Sequence, residues 1–430
     1  MSKKRKFLIT VILLLAIVII LFATKILHKP LPKYIEIKPS IVKVTRDDSN
    51  NFCLLVKKYN LKKGKYEKEQ NYLIKGVVYQ VVKIGQAPPW CDNWMTSKDD
   101  PAHKARVDLN KDGILTEDEK EVGDFQLMKE MGVNTIRLYE PPGLKCGATP
   151  DIVTDEEVDA ARRILRELYS EYGIMTIMGH SLGYYVDYSN SQVRKQIHDE
   201  VLQMVQTYKD EPFVLMWNLG NENNIRQTAT GGNFAEDYYK KTVQYIAEDI
   251  KKIDKNHPIS ISNMGLAGVY DFSDYCDAVD IYGANMYQAK GFSGLWMTAR
   301  RIDRPAYLTE FGCDALDSRK EPRVVNEELQ AEYVKKQWKD ITSNHLKGAG
   351  TSLGGIYFEW LDEWWKSNYD DSWTHTYEGG WDVPSFDVGT RESGNEEWWG
   401  ICAQNENGKY SPNYRYLRKV YYTLKELWKQ

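Results

Sequence analysis

Two glutamates carry the most specific chemical signal in this chain. Glu222 ends the run Trp217-Asn218-Leu219-Gly220-Asn221-Glu222-Asn223, and Glu310 ends Tyr307-Leu308-Thr309-Glu310-Phe311-Gly312. Each follows apolar, β-rich residues, so each emerges from a buried strand, where a carboxylate without partners is costly. Two carboxyl groups held on one rim supply what cleavage of a sugar acetal needs: one protonates the leaving oxygen, the other attacks the anomeric carbon. In that scheme Glu222 starts neutral, its pKa raised by burial and by a negative Glu310, while Arg137 keeps Glu310 ionised. Carboxyl oxygens about 5–5.5 Å apart and retention of configuration are then expected. Ordinary strand-end positions in rim salt bridges are the alternative.

The elements that must position this pair are legible in the hydrophobic pattern. From residue 72 onward, short apolar runs alternate with amphipathic helical stretches, the signature of parallel βα units. Eight strands are expected: Tyr72–Gln80, Val133–Tyr139, Ile174–His180, Val214–Asn221, Pro258–Asn263, Ala278–Tyr287, Ala306–Phe311 and Gly354–Trp360. Helices fall between them, as at Asp155–Tyr172, Ser191–Tyr208, Phe234–Ile253 and Asn326–Ser343, with Tyr414–Trp428 last. Eight units imply an α/β protein closed into a (β/α)8 TIM barrel, whose strands are buried on both faces and so read as continuous apolar runs such as Phe213–Trp217. Polar residues concentrate at the strand ends: Tyr79-Gln80, Arg137-Tyr139-Glu140, His180, Asn221-Glu222, Asn263, Asn285-Tyr287, Glu310 and Glu359-Trp360. In such a barrel these ends converge on one face, where the chemistry sits.

Three regions follow from the pattern. Residues 1–28 read as a cytoplasmic tail and transmembrane signal anchor: Lys3, Lys4, Arg5 and Lys6 precede an uncharged apolar run, Phe7–Thr24. As a helix that run covers roughly 27 Å, enough to span a bilayer, and the preceding charge places everything after it outside the cytoplasm. A cleaved signal peptide and a secreted product are the alternative, although no A-x-A site follows. Residues 29–70 read as a linker and a β-hairpin extension, with a turn at Lys62-Lys63-Gly64, and residues 71–430 as the barrel. Six cysteines (Cys53, Cys91, Cys146, Cys276, Cys313, Cys402) in an exported chain are candidates for disulfides, in any of fifteen pairings.

A formal net charge of -4 and no long basic stripe beyond residue 30 give no electrostatic reason for a nucleic-acid partner. The chain is expected to be a monomer acting on an oligo- or polysaccharide, with the membrane engaged through residues 7–24. Thirteen Trp and 29 Tyr, many in polar and Gly-rich surroundings, suit that partner, because flat rings stack on the apolar faces of sugars. Trp360, at the end of the eighth strand, is placed to floor the cleavage point. Trp364, Trp365, Trp373, Trp381, Trp398 and Trp399 follow in a long insertion, Trp90 and Trp94 are candidates for the opposite wall, and Glu359 and Glu363 read as rim acids engaged in hydrogen bonds.

Asp108–Glu119 matches the EF-hand loop at each diagnostic place. Asp108, Asn110, Asp112 and Glu119 supply oxygens at positions 1, 3, 5 and 12, Ile114 a backbone carbonyl at 7, and Gly113 the turn at 6. A structural Ca2+ is expected there, on the active-site face between the first strand and the first helix; the chemistry itself needs no cofactor. A solvated acidic turn is the alternative.

Taken together these motifs resemble clan A of the glycoside hydrolases, retaining enzymes with the acid/base after strand four and the nucleophile after strand seven. Ile74–Gln80 and Gly132–Tyr139 are similar to the openings of family 2 catalytic barrels and of fungal β-1,3-glucanosyltransferases, and Thr309–Cys313 is similar to the transferases. The resemblance implies that Asn221 bonds the sugar 2-hydroxyl, that Arg137 and Tyr287 hold and tune Glu310, and that His180 sits beside the acid/base. It implies a retaining β-glycoside hydrolase acting on extracellular or cell-wall polysaccharide, with β-glucan the favoured substrate. A β-glucanosyltransferase using the same pair, or a non-catalytic glycan-binding barrel, are the alternatives. The β-sandwich domains that precede the barrel in family 2 enzymes have no counterpart in this sequence, so a specific family 2 activity does not carry over.

Overall fold

The computed structural model describes residues 36–82, 84, 95, 100–109, 119–144, 155–183, 186–224, 233–288, 291–317, 322–366, 396–404 and 414–429. The anticipated span Phe7–Thr24 lies outside them; among the described residues no helix is long and apolar enough to cross a membrane.

Eight strand-helix repeats build a parallel barrel. The strands are β1 (Ile74–Val78), β2 (Thr135–Arg137), β3 (Met175–His180), β4 (Val214–Leu219), β5 (Ile259–Ile261 and Asn263–Met264), β6 (Tyr282–Asn285), β7 (Ala306–Phe311) and β8 (Ser352–Tyr357). Each is followed by its helix: α1 (Asp124–Met131), α2 (Asp155–Tyr172), α3 (Ser191–Tyr208), α4 (Asn233–Ile253), α5 (Val269–Tyr275), α6 (Ser293–Arg301), α7 (Glu327–Ser343) and α8 (Lys419–Trp428). The hydrogen-bonded order runs 5-4-3-2-1-8-7-6 and returns to 5. The fifth strand is broken at Ser262: its first part pairs with β4, its second with β6, and a Ser260–Ile281 bridge reinforces the second seam.

All eight anticipated strands are present: β7 matches residue for residue, β5 runs one residue further, to Met264, β8 starts two residues earlier, at Ser352, and stops at Tyr357, and the others have shorter ends. The largest difference is β6, expected from Ala278 but starting at Tyr282. Asp280 spends its side chain on the Ile259 amide (2.9 Å) and on Lys251 (2.8 Å), which holds the approach to β6 as a turn. Every residue of β3, β4, β7 and β8 is buried, as expected for strands packed on both faces. In α2 the buried residues Val158, Ala161, Leu165, Leu168 and Tyr169 form one stripe at three- and four-residue spacing, and Asp155, Glu156 and Glu157 in the first turn favour the helix dipole. Asn190 and Asn326 cap α3 and α7 by accepting from Gln192 N and Leu329 N, each worth about 1 kcal/mol.

The segment before the barrel forms an antiparallel sheet in which Ile41–Arg46 pairs with Phe52–Lys57, flanked by Gln70–Asn71; a small hairpin (Tyr59–Asn60 with Lys65–Tyr66) turns through Gly64. Val42 N bonds Asn256 O and Phe52 N bonds Gly350 O, both just before barrel strands, so this sheet closes the end of the barrel opposite the strand C-termini. A second small sheet, ordered Lys120–Glu121, Arg106–Val107, Tyr414–Leu417, Cys402–Ala403, lies on the loop side, and a Leu361–Cys402 bridge ties it to the exit of β8. Two buried ion pairs anchor it: Arg415 grips Asp124 of α1 in a fork (2.9 and 2.8 Å), and Arg418 grips Asp362 (2.6 and 2.8 Å).

Cys53, Cys276, Cys313 and Cys402 are buried thiols, so the disulfides anticipated for an exported chain do not form among the described residues. They serve as small core residues; burial pushes the Cys276 thiol up to about 12, which suppresses thiolate chemistry. Cys91 and Cys146 lie outside the described residues.

Candidate active site

Glu310 leaves β7 into a shell of donors. One carboxylate oxygen accepts from Arg137 Nη1 (2.9 Å) and Tyr139 Oη (2.6 Å), both from the end of β2, and the other accepts from the Tyr287 hydroxyl after β6. Arg137 is fully buried, and its Nη1 and Nη2 also reach Thr309 O and Asn221 Oδ1, each at 2.9 Å. A buried ion pair alone tends to cost as much in desolvation as it returns; here two phenols and a fixed guanidinium fork complete the solvation of the carboxylate. Burial and the adjacent Glu310 charge drive both phenol pKa values well above the usual range, so Tyr139 and Tyr287 stay donors.

Glu222 stands just past β4 on a tightly specified turn. Gly220 has φ 79°, and a Cβ there would come within 2.6 Å of Asn223 Oδ1 and 2.8 Å of Tyr239 Oη. Glu222 itself adopts φ 57°, a left-handed conformation that costs a residue with a side chain about 1–3 kcal/mol and persists where surrounding structure enforces it. The enforcement is visible. Asn223 Oδ1 accepts from Asn221 N (2.8 Å), Asn223 Nδ2 donates to Ser181 O (3.1 Å), and Glu222 N donates to Ser262 O (2.8 Å). The break in β5 is thus where a ladder carbonyl is diverted to hold Glu222.

Asn285 links the two carboxylates. Its Nδ2 donates to Glu222 Oε1 (2.9 Å) and Asn221 Oδ1 (3.2 Å), while its Oδ1 accepts from Thr309 (2.6 Å). Asn221 Oδ1 thereby accepts from both Arg137 and Asn285, which turns its NH2 group away from this network. Burial, then the charge of Glu310, raise the Glu222 pKa to about 7. At neutral pH one carboxyl holds a proton and its partner is ringed by donors, the division of labour that a retaining double displacement uses.

Arg137, Asn221 and Tyr287 therefore join the two glutamates in one network. His180 does not: Leu182 N donates to its Nδ1 (3.0 Å), and its Nε2 faces Glu200 of α3 at 3.7 Å, with no described contact to Glu222. Trp360 lies three residues past the end of β8 and is fully buried, its amide bonded to Val78 O, and no described contact links its ring to either glutamate. Phe358 and Trp399 stand beside Tyr287, the phenol that donates to Glu310: Trp399 packs edge-on against Tyr287 (centroids 4.3 Å apart) and against Phe358 (5.6 Å). Sequence reasoning placed Tyr139 and Asn285 on the rim without a role and missed Thr309 and Asn223, whose significance lies in bonds between strands. Of the Ca2+ loop, Asp108 is buried at one end and Glu119 stands at the other; Asn110, Asp112 and Ile114 lie outside the described residues.

A closed (β/α)8 barrel with a proton-bearing glutamate after β4 and a donor-ringed glutamate after β7 defines a clan A glycoside hydrolase site. The model of the TIM barrel domain of glycosyl hydrolases family 2 matches residues 107–359, more than half of the chain, and the chain belongs to that family. A β-glucuronidase of Paenibacillus borealis is 24% identical over 229 residues, which is 50% of this chain and 35% of that one. Among solved structures, a family 2 β-galacturonidase of Eisenbergiella tayi bound to galacturonate superposes with a TM-score of 0.51 at 16% identity, covering 91% of this chain and 54% of its own. A β-glucuronidase of Ruminococcus gnavus, in complex with a C6-substituted uronic isofagomine, gives 0.50 at 15% identity, covering 91% and 53%. These likenesses establish the fold; the chain spans about a third to a half of the length of these relatives.

Proposed function

We propose that this protein is a retaining β-glycoside hydrolase acting on polysaccharide, with β-glucan the favoured substrate, by double displacement through a glycosyl-enzyme on Glu310. The observation that carries the reading is the asymmetry of the pair: Glu310 accepts hydrogen bonds from Arg137, Tyr139 and Tyr287, while Glu222 holds a proton near neutral pH. Glu222 protonates the leaving oxygen as Glu310 attacks the anomeric carbon; the C–O bond to the aglycone breaks and a C–O bond to Glu310 forms. Esterification removes the charge of Glu310, which lowers the Glu222 pKa, and the Glu222 carboxylate then takes a proton from the water that releases the sugar. The Asn221 NH2 is oriented to donate to the sugar 2-hydroxyl. Transfer to a sugar acceptor uses the same pair, and appears as products longer than the substrate. NMR of a fresh hydrolysate tests the reading: the β-anomer forms first, and initial appearance of the α-anomer overturns it.

Two accompanying features are part of the proposal. The catalytic unit is held outside the cytoplasmic membrane by Phe7–Thr24, so protease added to intact cells stripped of their wall should digest it. A Ca2+ ion in Asp108–Glu119 is supported by register: Arg106 pairs with Glu121 and Val107 with Lys120, which brings positions 1 and 12 of the loop together as the next rung. The loop is flanked by strands where an EF-hand has helices, so an ion there would brace the small sheet that runs to the exit of β8.

A further inference from the structure

The register between β6 and β7 slips beside the nucleophile. Ala284 pairs with Leu308 but Asn285 pairs with Glu310, which leaves Thr309 as an extra residue in β7, a bulge of the kind that re-aims a side chain next to an active site. Thr309 is fully buried, and its carbonyl and hydroxyl are both spent on the catalytic network: the carbonyl accepts from Arg137 Nη1 (2.9 Å) and the hydroxyl donates to Asn285 Oδ1 (2.6 Å). Its methyl has a seat of its own, since a Cβ on Gly283 of β6 would come within 2.4 Å of Thr309 Cγ2. A β-branched side chain is stiff at χ1, so the methyl over Gly283 fixes where the hydroxyl points. The direction of every bond in the chain that follows is set by Arg137, which has donors only. The Asn221 atom facing Arg137 Nη2 (2.9 Å) must be its oxygen, and the Asn285 atom facing that oxygen (3.2 Å) must be its nitrogen. The Asn285 oxygen is then left for Thr309, whose O–H must donate. The same Asn285 nitrogen donates to Glu222 Oε1 (2.9 Å), and no described hydrogen bond reaches Glu222 Oε2.

We propose that Thr309 is a positioning residue for the general acid: its hydroxyl locks the Asn285 amide, which holds Glu222 Oε1 as an acceptor and leaves Oε2 to carry the proton delivered to the leaving oxygen. The inference rests on the glycosidase reading above and deepens it. A neutral carboxyl that accepts at one oxygen carries its proton on the other, and no described partner competes for a proton on Oε2. Glu222 keeps exposed surface, as a group that meets substrate must, whereas Thr309 and Asn285 are buried. Valine in place of Thr309 keeps the shape and the methyl seat but deletes the donor, so Asn285 Oδ1 becomes a buried acceptor without a partner and the amide turns to find one. Its bond to Glu222 then loosens. That bond favours the carboxylate, opposing burial and the charge of Glu310, so losing it raises the Glu222 pKa further. Mere loosening of the packing acts the other way, because admitting water relieves burial, the largest cause of the raised value. The charges acting on Glu222, from Glu310, Lys366 and Arg137, are untouched by a change at Thr309.

The test compares wild type, Thr309→Val and Thr309→Ser of the full-length chain on two aryl β-glucosides, one with a phenol leaving group that needs the acid proton and one with a dinitrophenol that does not. In Thr309→Val, kcat/KM should fall about 10–100-fold on the phenyl glucoside and less than about 3-fold on the dinitrophenyl glucoside, and Thr309→Ser should recover most of the loss. Carbon NMR of labelled glutamate should show the Glu222 pKa higher in Thr309→Val than in wild type, with Thr309→Ser close to wild type. Equal losses on the two glucosides, a Thr309→Ser no better than Thr309→Val, or a Glu222 pKa unchanged or lowered in Thr309→Val each overturns this inference alone, since wild-type cleavage leaves the glycosidase reading standing. Wild type that cleaves neither glucoside and takes no 2-fluoro glycoside label on Glu310 rejects the glycosidase reading and this inference with it.

Discussion

The proton on Glu222 has two causes of different size, and they can be separated. Burial is the larger and the charge of Glu310 the smaller, together setting a pKa of about 7. In the proposed mechanism the acid form of Glu222 does the work, so kcat/KM should fall as pH rises through about 7, read from a pH-rate profile on an activated glycoside. Replacing Glu310 with Gln removes the negative neighbour but not the burial. The Glu222 pKa should then drop yet stay above the usual 4.5, measured by carbon NMR of labelled glutamate; an unchanged value would show that the two groups do not interact. Tyr287→Phe deletes one donor to Glu310 while sparing the ring packing against Trp399, so kcat should fall about 10–100-fold with little loss of fold stability. Both glutamates were legible in sequence because an acid at the end of an apolar strand has no cheap structural excuse. His180 misled for the same reason: a polar strand end looks the same whether the side chain turns into the barrel or, as here, back toward α3.

At the scale of elements, the loop side is held by its C-terminal seam. Asp362 is buried, forks to Arg418 and accepts from Gly400 N (2.9 Å), and it stands between Glu359 and Glu363 in sequence. Asp362→Ala leaves a buried guanidinium without its partner and should destabilise the chain by about 3–5 kcal/mol, seen as a lower denaturant midpoint. The neighbouring sheet brings together the ends of Asp108–Glu119. Ca2+ should therefore raise Tm and EDTA lower it, with activity changing less than stability; no thermal response to either would remove the ion from the account. The eight βα repeats were readable because periodicity of two and of 3.6 residues alternates so regularly. The small sheet was not, since Arg106–Val107 and Tyr414–Leu417 are short, distant in sequence and joined only through tertiary pairing. The break in β5 was equally hidden, because nothing in Ile259–Met264 announces that the Ser262 carbonyl bonds the amide of Glu222.

For the whole molecule, the barrel supplies rigidity and a shared rim, and the proposed chemistry draws on three strands that are not adjacent in the sheet but end on that rim: β2 with Arg137 and Tyr139, β4 with Glu222 just beyond it, and β7 with Glu310. Family membership follows from more than half of the chain, whereas substrate choice depends on few side chains. The central claim is that Glu310 forms the covalent bond to sugar. Incubation of the full-length chain with a 2-deoxy-2-fluoro β-glucoside carrying a good leaving group, followed by proteolysis and mass spectrometry, tests it directly. The account requires one fluoroglycosyl adduct, on the peptide containing Glu310, formed far more slowly in Glu222→Ala unless the leaving group needs no proton. An adduct on another residue, or turnover with none at all, would contradict it.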